Sequence, residues 1–349
     1  MSIPRQAAAR IAGRAAARLF VEGVSAMVKA VRIHRYGGPE VMTYEDVEVG
    51  DPGPGEVRIR NKAIGVNYID TYFRTGMYPS TLPVVLGNEA AGEVVAVGEG
   101  VRDLKRGDRV AYVITFGGYS EERIAPAKSV VKLPDGVSDE TAAAMMLKGM
   151  TAQYLLHRTY KVKRGDTILF HAAAGGVGSI ACQWAKHLGA TVIGTAGSPD
   201  KAKLARENGC DHVILYRDED FAARVKEITK GALCEVVYDG VGKATFPASL
   251  DCLKPFGTFA SFGSASGPID AFNIGILAQK GSLYAARPTL NTHTATREGL
   301  EEIAASLLAV VKSGAIKIPV HHRAKLSEAA DAHRALEGRQ TTGATVLLP

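Results

Sequence analysis

The chain predicts an α/β protein in which a doubly wound parallel sheet is joined to a small antiparallel β-barrel. Two observations carry this. From Thr167 to Ala286 strand-like and helical runs alternate, beginning with a strand, a glycine turn and a helix. Before it, residues 27–150 show only short alternating strands broken by glycine and proline, the texture of a barrel. A length of 349 residues suits two such domains. With 46% apolar and 22% charged residues, the composition speaks against disorder. No run nears the roughly 18 apolar residues of a membrane span.

The first 26 residues are rich in alanine and carry Arg5, Arg10, Arg14 and Arg18 against Glu22, half of the formal charge of +6. Arg10, Arg14 and Arg18 share one helical face, and no acid precedes Glu22, a pattern compatible with a mitochondrial transit peptide. An upstream start site that adds a tail is the other reading, and either way the segment lies outside the fold. The remaining charge is too mild to argue for nucleic acid.

Met27 opens a strand through Val28, Ala30, Val31 and Ile33, with His34 expected inside it. Further short strands are expected at Val57–Ile59, Gly92–Val97, Arg109–Ile114 and Arg123–Leu133. Thr141 to Tyr160 is apolar and helical, and leads from the barrel to the sheet. Lys161, Lys163 and Arg164 then read as a solvated turn before a strand.

The stretch Arg164 to Lys186 organises the rest. Its strand, Thr167 to His171, runs into a turn with Ala173, Gly175 and Gly178 at the spacing of G-x-G-x-x-G, and Val177, Ile180, Ala181, Trp184 and Leu188 follow at helical spacing. Glycines there permit a tight turn, let backbone approach a pyrophosphate and aim free amides at the helix's positive end. Strands follow at Thr191–Thr195, His212–Tyr216, Glu235–Asp239, Gly257–Phe262 and Ser282–Ala286. Phe221, Val225 and Ile228 mark one intervening helix, and Phe246, Leu250 and Leu253 are expected to mark another. His171 beside the turn reads as a neutral histidine donating to backbone in preference to a catalytic one. Past the sheet, Leu300, Ile303, Ala304, Leu307 and Val311 form a helical face, and Thr345–Leu348 returns to strand character. Cys182, Cys210, Cys234 and Cys252 are widely spaced and read as core thiols of a reducing compartment.

An NAD site would place an acid about 20 residues past the glycines, at the end of the second strand. This chain has Ala196, then Gly197, Ser198, Pro199, Asp200 and Lys201. Ser198 and Pro199 form an N-cap and first helical position, so a hydroxyl, helix amides and Lys201 face the strand end, which suits a 2′-phosphate and therefore NADPH. The alternative is that Ser198 only caps a helix and Lys201 is solvated.

The run Gly165-Asp166-x-x-Leu169-x-x-x-Ala173-Ala174-Gly175-Gly176-x-Gly178, with Gln183 and Lys186, resembles the signature of the quinone oxidoreductase and zeta-crystallin branch of the medium-chain dehydrogenases/reductases, and most of all its bacterial NADPH:quinone reductases. The resemblance covers nearly all of residues 27–349. It implies a GroES-like domain at 27–149 completed by 288–349, a Rossmann NADPH-binding domain at 150–287, and an active site between them. It implies a homodimer pairing near Gly281–Arg287 as well. The expected compartment is the cytoplasm, with the mitochondrion as the alternative if the basic extension is a transit peptide.

By the same resemblance, Asn67-Tyr68-Ile69-Asp70-Thr71-Tyr72, with Arg74 and Tyr78, is the cleft motif. Asn67, Tyr72 and Tyr78 would line the nicotinamide and acceptor pocket. Coenzyme contacts would come from Tyr68, Asp70, Thr151, Ala174, Gly175, Gly176, Val177, Gly178, Gly197, Ser198, Lys201, Tyr216, Val241, Phe262, Gly263, Ser264 and Arg339. A structural alternative has the tyrosines packing a barrel edge, Asp70 pairing Arg74, and Arg339 as a surface charge.

In the wider superfamily's zinc alcohol dehydrogenases, a Gly-His-Glu segment and barrel cysteines hold metal. Here the matching segment is Gly87-Asn88-Glu89, residues 27–150 contain no cysteine, and His34 is their one histidine. Zinc needs three protein ligands with nitrogen or sulfur prominent, so no metal is expected. The acceptor must then be intrinsically electron-poor, such as a quinone, with an alkenal or enone as the alternative. A reading of another class is an NADPH-binding or RNA-binding structural protein, for which the basic extension is the one support. The missing acid at Ala196 predicts that NADPH is preferred to NADH by about tenfold or more in kcat/KM. Equal rates with the two coenzymes in a steady-state assay would overturn that assignment.

Overall fold

The computed structural model describes residues 26–113 and 116–349. The basic extension, Ala26 apart, and the expected strand end at Ile114 lie outside those residues.

Six parallel strands form the larger α/β layer. Their order in space is His212–Leu215, Thr191–Ala196, Thr167–Phe170, Cys234–Asp239, Leu253–Ser261 and Tyr284–Ala286. The order reverses between Thr167–Phe170 and Cys234–Asp239, which opens a crevice at their carboxyl ends. Neighbouring residues of the central strand face opposite cores. Ile168 and Phe170 pack with Val192, Val236, Tyr238 and Ala260, while Leu169 packs with Ile193, Val237 and Phe259. A strand buried on both faces reads as a continuous apolar run, which is why these segments were visible.

The second sheet has the order Val320–Lys325, Ala344–Leu348, Glu56–Gly65, Glu89–Val97, Arg109–Val113 and Val130–Lys132, with Glu122–Pro126 also paired to Glu56–Gly65. A smaller sheet of Met42–Val49, Ala26–Ile33 and Val84–Val85 lies beside it. The C-terminal strand joins through Val346 opposite Gly65 and Leu347 opposite Ile64. The chain's end therefore lies in the sheet that its first third builds.

Between the layers runs the helix Asp139–Tyr154. Ser138 caps it by accepting from the Thr141 amide at 3.1 Å, with Asp139 and Glu140 in the first turn. From Ala142 onward nearly every residue is buried, as a helix apolar on all sides must be. It packs on the helix Gly176–His187, on both barrel strands Glu56–Gly65 and Glu89–Val97, and on the helix Arg297–Lys312.

Four expectations need correction. The helix expected to reach Tyr160 is α-helical only to Tyr154, and Leu155–Thr159 widens into a π turn. Phe246, Leu250 and Leu253 do not mark a helix: a 3-10 turn spans Ala248–Cys252, and Leu253 opens the next strand. There the Asp239 carboxylate organises the turn instead, accepting from the amides of Val241 and Gly242 and the hydroxyls of Thr245 and Ser249. Arg123–Leu133 is two strands, because the chain turns at Ala127–Ser129 directly after Pro126. His34 lies just beyond the first strand, exposed and bonded to Glu45.

Candidate active site

At the carboxyl end of Thr167–Phe170 the chain turns with Ala172 in the left-handed region at φ 54°. Gly175 precedes the helix Gly176–His187. A Cβ on Gly178 would stand 2.5 Å from the Ala172 carbonyl oxygen and 2.7 Å from that of Ala173. No side chain fits in that backbone contact, which explains the third glycine. The first-turn amides of Gly176, Val177 and Gly178 have no intrahelical acceptor, and these residues with Gly175 line the cleft. The turn thus fits a dinucleotide diphosphate.

A second cluster forms beyond Thr191–Ala196. The Ser198 hydroxyl accepts from the Lys201 amide at 3.4 Å, and Lys201 Nζ donates to the Arg339 carbonyl at 2.8 Å. Burial holds the Lys201 ammonium's pKa below its usual value, with Arg217 and Arg339 adding repulsion. Three cations therefore converge where an NAD site would hold an acid. The Tyr216 hydroxyl lies 2.8 Å from where a Cβ on Gly197 would be, so Gly197 makes room for the phenol.

The cleft encloses about 400 Å³, within the usual range for small-molecule sites. Asn67, Tyr68, Tyr72, Tyr78, Thr151, Val241, Phe262 and Gly263 lie on its wall. Tyr72 meets Tyr68 and Tyr78 edge to face, with ring centroids 5.7 and 5.2 Å apart. The Tyr72 hydroxyl accepts from the Ser264 amide at 3.0 Å, and the Tyr68 hydroxyl donates to the Ala265 carbonyl at 3.3 Å. Burial pushes the Tyr72 phenol up to about 12, so it keeps its proton at neutral pH.

Three residues expected at the coenzyme stand behind the wall. Ala174 is buried, and its carbonyl accepts from the Gly343 amide at 3.2 Å. Ser264 touches the cleft through its backbone bond to Tyr72. Asp70 is fully buried beneath the helix Tyr68–Thr75 and does not pair with Arg74. It accepts instead from the Asn67 amide at 2.9 Å, Asn88 Nδ2 at 2.8 Å and the Tyr119 hydroxyl at 3.0 Å. Burial raises the Asp70 carboxyl to about 6 against the pull of those donors and of the Lys148 charge.

Asn67 is held from its other side as well. Its Nδ2 donates to Glu89 Oε2 at 2.8 Å, and Glu89 also accepts from the Leu147 amide at 2.6 Å and from Lys148 Nζ at 3.0 Å. Arg74, 1% exposed, makes a bidentate pair with Glu337 at 2.7 and 2.9 Å and donates to His333 Nδ1 at 2.9 Å. Arginine only donates, so His333 carries its proton on Nε2, which faces the Tyr119 hydroxyl at 2.9 Å. The chain from Glu337 to Asp70 includes a guanidinium that does not release protons. It therefore holds the site rather than conducting through it.

Asn88 and Glu89, at the segment compared with Gly-His-Glu, are both committed to these bonds. Among the described residues no three His, Cys, Asp or Glu side chains gather to hold a metal. His171 is buried and bonded to hydroxyls, Thr195 Oγ1 at 3.2 Å and Ser249 Oγ at 3.0 Å, where donation to backbone was expected. Burial lowers its pKa, which keeps it neutral.

The sequence reading missed Lys148, Arg217 and Arg287. Lys148 did leave a signal, as the one charge in the apolar run Thr141–Tyr154. Arg217 and Arg287 left none, since neither belongs to a motif.

Burial and Arg74 hold His333 down to about 3, against 6.5 for a free imidazole. Its folded pKa is depressed, so the stability it contributes is full above pH 6.5 and is lost as pH falls toward 3. The destabilisation caused by His333→Phe should therefore be largest at pH 7 and shrink by on the order of 1 kcal/mol per pH unit on acidification. Urea unfolding of both proteins at pH 7 and pH 5 checks this, and a constant difference contradicts it.

Comparison with known proteins agrees with the architecture. Residues 53–135 match the family described as alcohol dehydrogenase GroES-like domain, and residues 176–304 match that described as zinc-binding dehydrogenase. A quinone oxidoreductase of Pseudomonas aeruginosa is 54% identical over 325 residues, covering 93% of this chain and 100% of that protein. A 2-haloacrylate reductase of a Burkholderia species is 49% identical, covering 93% of this chain and 99% of that protein. The crystal structure of Escherichia coli quinone oxidoreductase complexed with NADPH superposes with a TM-score of 0.90 at 48% identity, covering 92% of this chain and 100% of that one. Identity at this level across nine-tenths of its length means that the chain belongs to the quinone oxidoreductase family of the medium-chain dehydrogenases/reductases.

Proposed function

We propose that the chain is an NADPH-dependent reductase that passes hydride to quinones without a metal. The observation that carries this is the meeting of a glycine turn, with its free helix amides, and a phenol-walled cleft at the sheet's reversal point. When bound, NADPH supplies the hydride.

The chain's own residues bind and orient. Amides of Gly176, Val177 and Gly178 take the diphosphate. Ser198, Lys201, Arg217 and Arg339 take the 2′-phosphate, and Tyr216 covers the adenine. Thr151, Val241, Phe262 and Gly263 flank the nicotinamide, with Tyr68 and Asn67 opposite them. Asp70 acts through Asn67. Tyr72 and Tyr78 offer phenolic donors to the acceptor oxygen, and solvent supplies the product's proton because Tyr72 holds its own too tightly. Asn88 in place of a histidine, with no cysteine in residues 27–150, lacks the donor set for zinc, so the acceptor's own delocalised anion must take the charge.

A homodimer in the cytoplasm goes with this reading. Tyr284–Ala286 is the edge strand of the parallel sheet, and Tyr284 (62% exposed), Phe256 (68%) and Ile274 (75%) are bare beside it, a surface suited to a second copy. Sedimentation equilibrium should give twice 36.9 kDa. A monomer mass removes the proposal.

An activated-alkene reductase is the second reading, favoured by the 49% identity to the Burkholderia reductase. Steady-state NADPH oxidation with benzoquinones, alkenals and nitroaromatics decides between them. The highest kcat/KM is expected with a quinone, unchanged by prolonged chelation. A higher value with alkenals establishes the second reading, and loss on chelation refutes the metal-free one.

A further inference from the structure

No carboxylate lies on the cleft wall among the described residues, and the two strong cations on it are Lys148 and Arg287. Lys148 is neutralised by Glu89 at 3.0 Å. Arg287 is not. Its Nη1 donates to the Ser261 carbonyl at 2.9 Å and its Nη2 reaches the Ser264 hydroxyl at 3.4 Å. Both acceptors are neutral, and they fix the guanidinium plane while leaving further N–H groups available. Its charge is felt at the Tyr72 and Tyr154 phenols, both on the cleft wall.

The sheet order assigns this cation to the acceptor's side. The diphosphate turn follows Thr167–Phe170, and the cluster of Lys201, Arg217 and Arg339 lies one strand further in one direction, near the end of Thr191–Ala196. Arg287 follows Tyr284–Ala286, three strands away in the other direction. The phosphates are therefore served elsewhere, and Arg287 stands beside Tyr72 with no anion of the described residues to meet.

We propose that Arg287 recognises an anionic group on the acceptor, and that acceptors bearing a carboxylate are preferred to their neutral analogues. An arginine fork matches a carboxylate in bidentate geometry. This rests on the reading of the cleft as a reductase site, and it names the substrate class of that site.

The test compares a benzoquinone carboxylate with its neutral methyl ester at saturating NADPH. Wild type should favour the acid, and Arg287→Met should lower kcat/KM for the acid by about tenfold or more relative to the ester. Arg287→Lys keeps the charge and should recover part of the loss. In calorimetry on NADP⁺-loaded protein, benzoate should bind wild type and not Arg287→Met, with benzamide binding equal in both. Equal losses for acid and ester overturn the proposal, because they assign Arg287 to the reduced anion of every acceptor. A weakened NADPH affinity in Arg287→Met overturns it in favour of a coenzyme contact. If wild type reduces neither quinone, the reductase reading fails, while the benzoate titration still reports on Arg287.

Discussion

Asn67 is bonded through its backbone amide to Asp70 and through its side chain to Glu89, two carboxylates with no exposed surface. Buried acids are tolerated only where donors meet them, and here the donors come from the elements that must be aligned. Asn88 and Tyr119 come from the barrel, Leu147 and Lys148 from the connecting helix, and the Asn67 amide from the start of the helix Tyr68–Thr75. Moving any of them would strand a charge, so the cleft's floor is rigid because the alternative is costly.

The same logic links barrel to sheet. Few bonds cross the cleft, and they do so at its rim: Tyr72 to the Ser264 amide, Tyr68 to the Ala265 carbonyl, Gly343 to the Ala174 carbonyl and Lys201 to the Arg339 carbonyl. Each ends on backbone of the other layer. The C-terminal segment supplies two of them, since residues 339 and 343 precede the strand Ala344–Leu348. The return of the chain to its first sheet thereby completes the site as well as the barrel.

Asp70 and His333 belong to one hydrogen-bond chain, and burial favours the neutral form of both. It raises the acid to about 6 and lowers the base to about 3. On acidification between those limits Asp70 gains stability for the fold and His333 loses it. Tyr119 between them keeps its proton, pushed far above its usual value by burial and by Asp70.

Local chemistry made much of the molecule legible. Doubly buried strands announce themselves as apolar runs, a glycine turn has few uses between a strand and a helix, and Ser198 with Pro199 can be recognised as a helix start. These features depend on neighbours within a few residues. Where the reading failed, the cause lay further away. Leu253 looked like the last turn of a helix because only folding shows Asp239 holding the preceding loop. The alternative that paired Asp70 with Arg74 four residues on fails as well, since Arg74 pairs with Glu337 and Asp70 with Asn88 and Tyr119. A charge within one helical turn is a weak partner beside one that burial forces close. Sequence alone determined the layers and the glycine turn between strand and helix. Tertiary structure decided which charges are neutralised and which, like Arg287, face the cleft, because burial and pairing depend on contacts that the linear order does not contain.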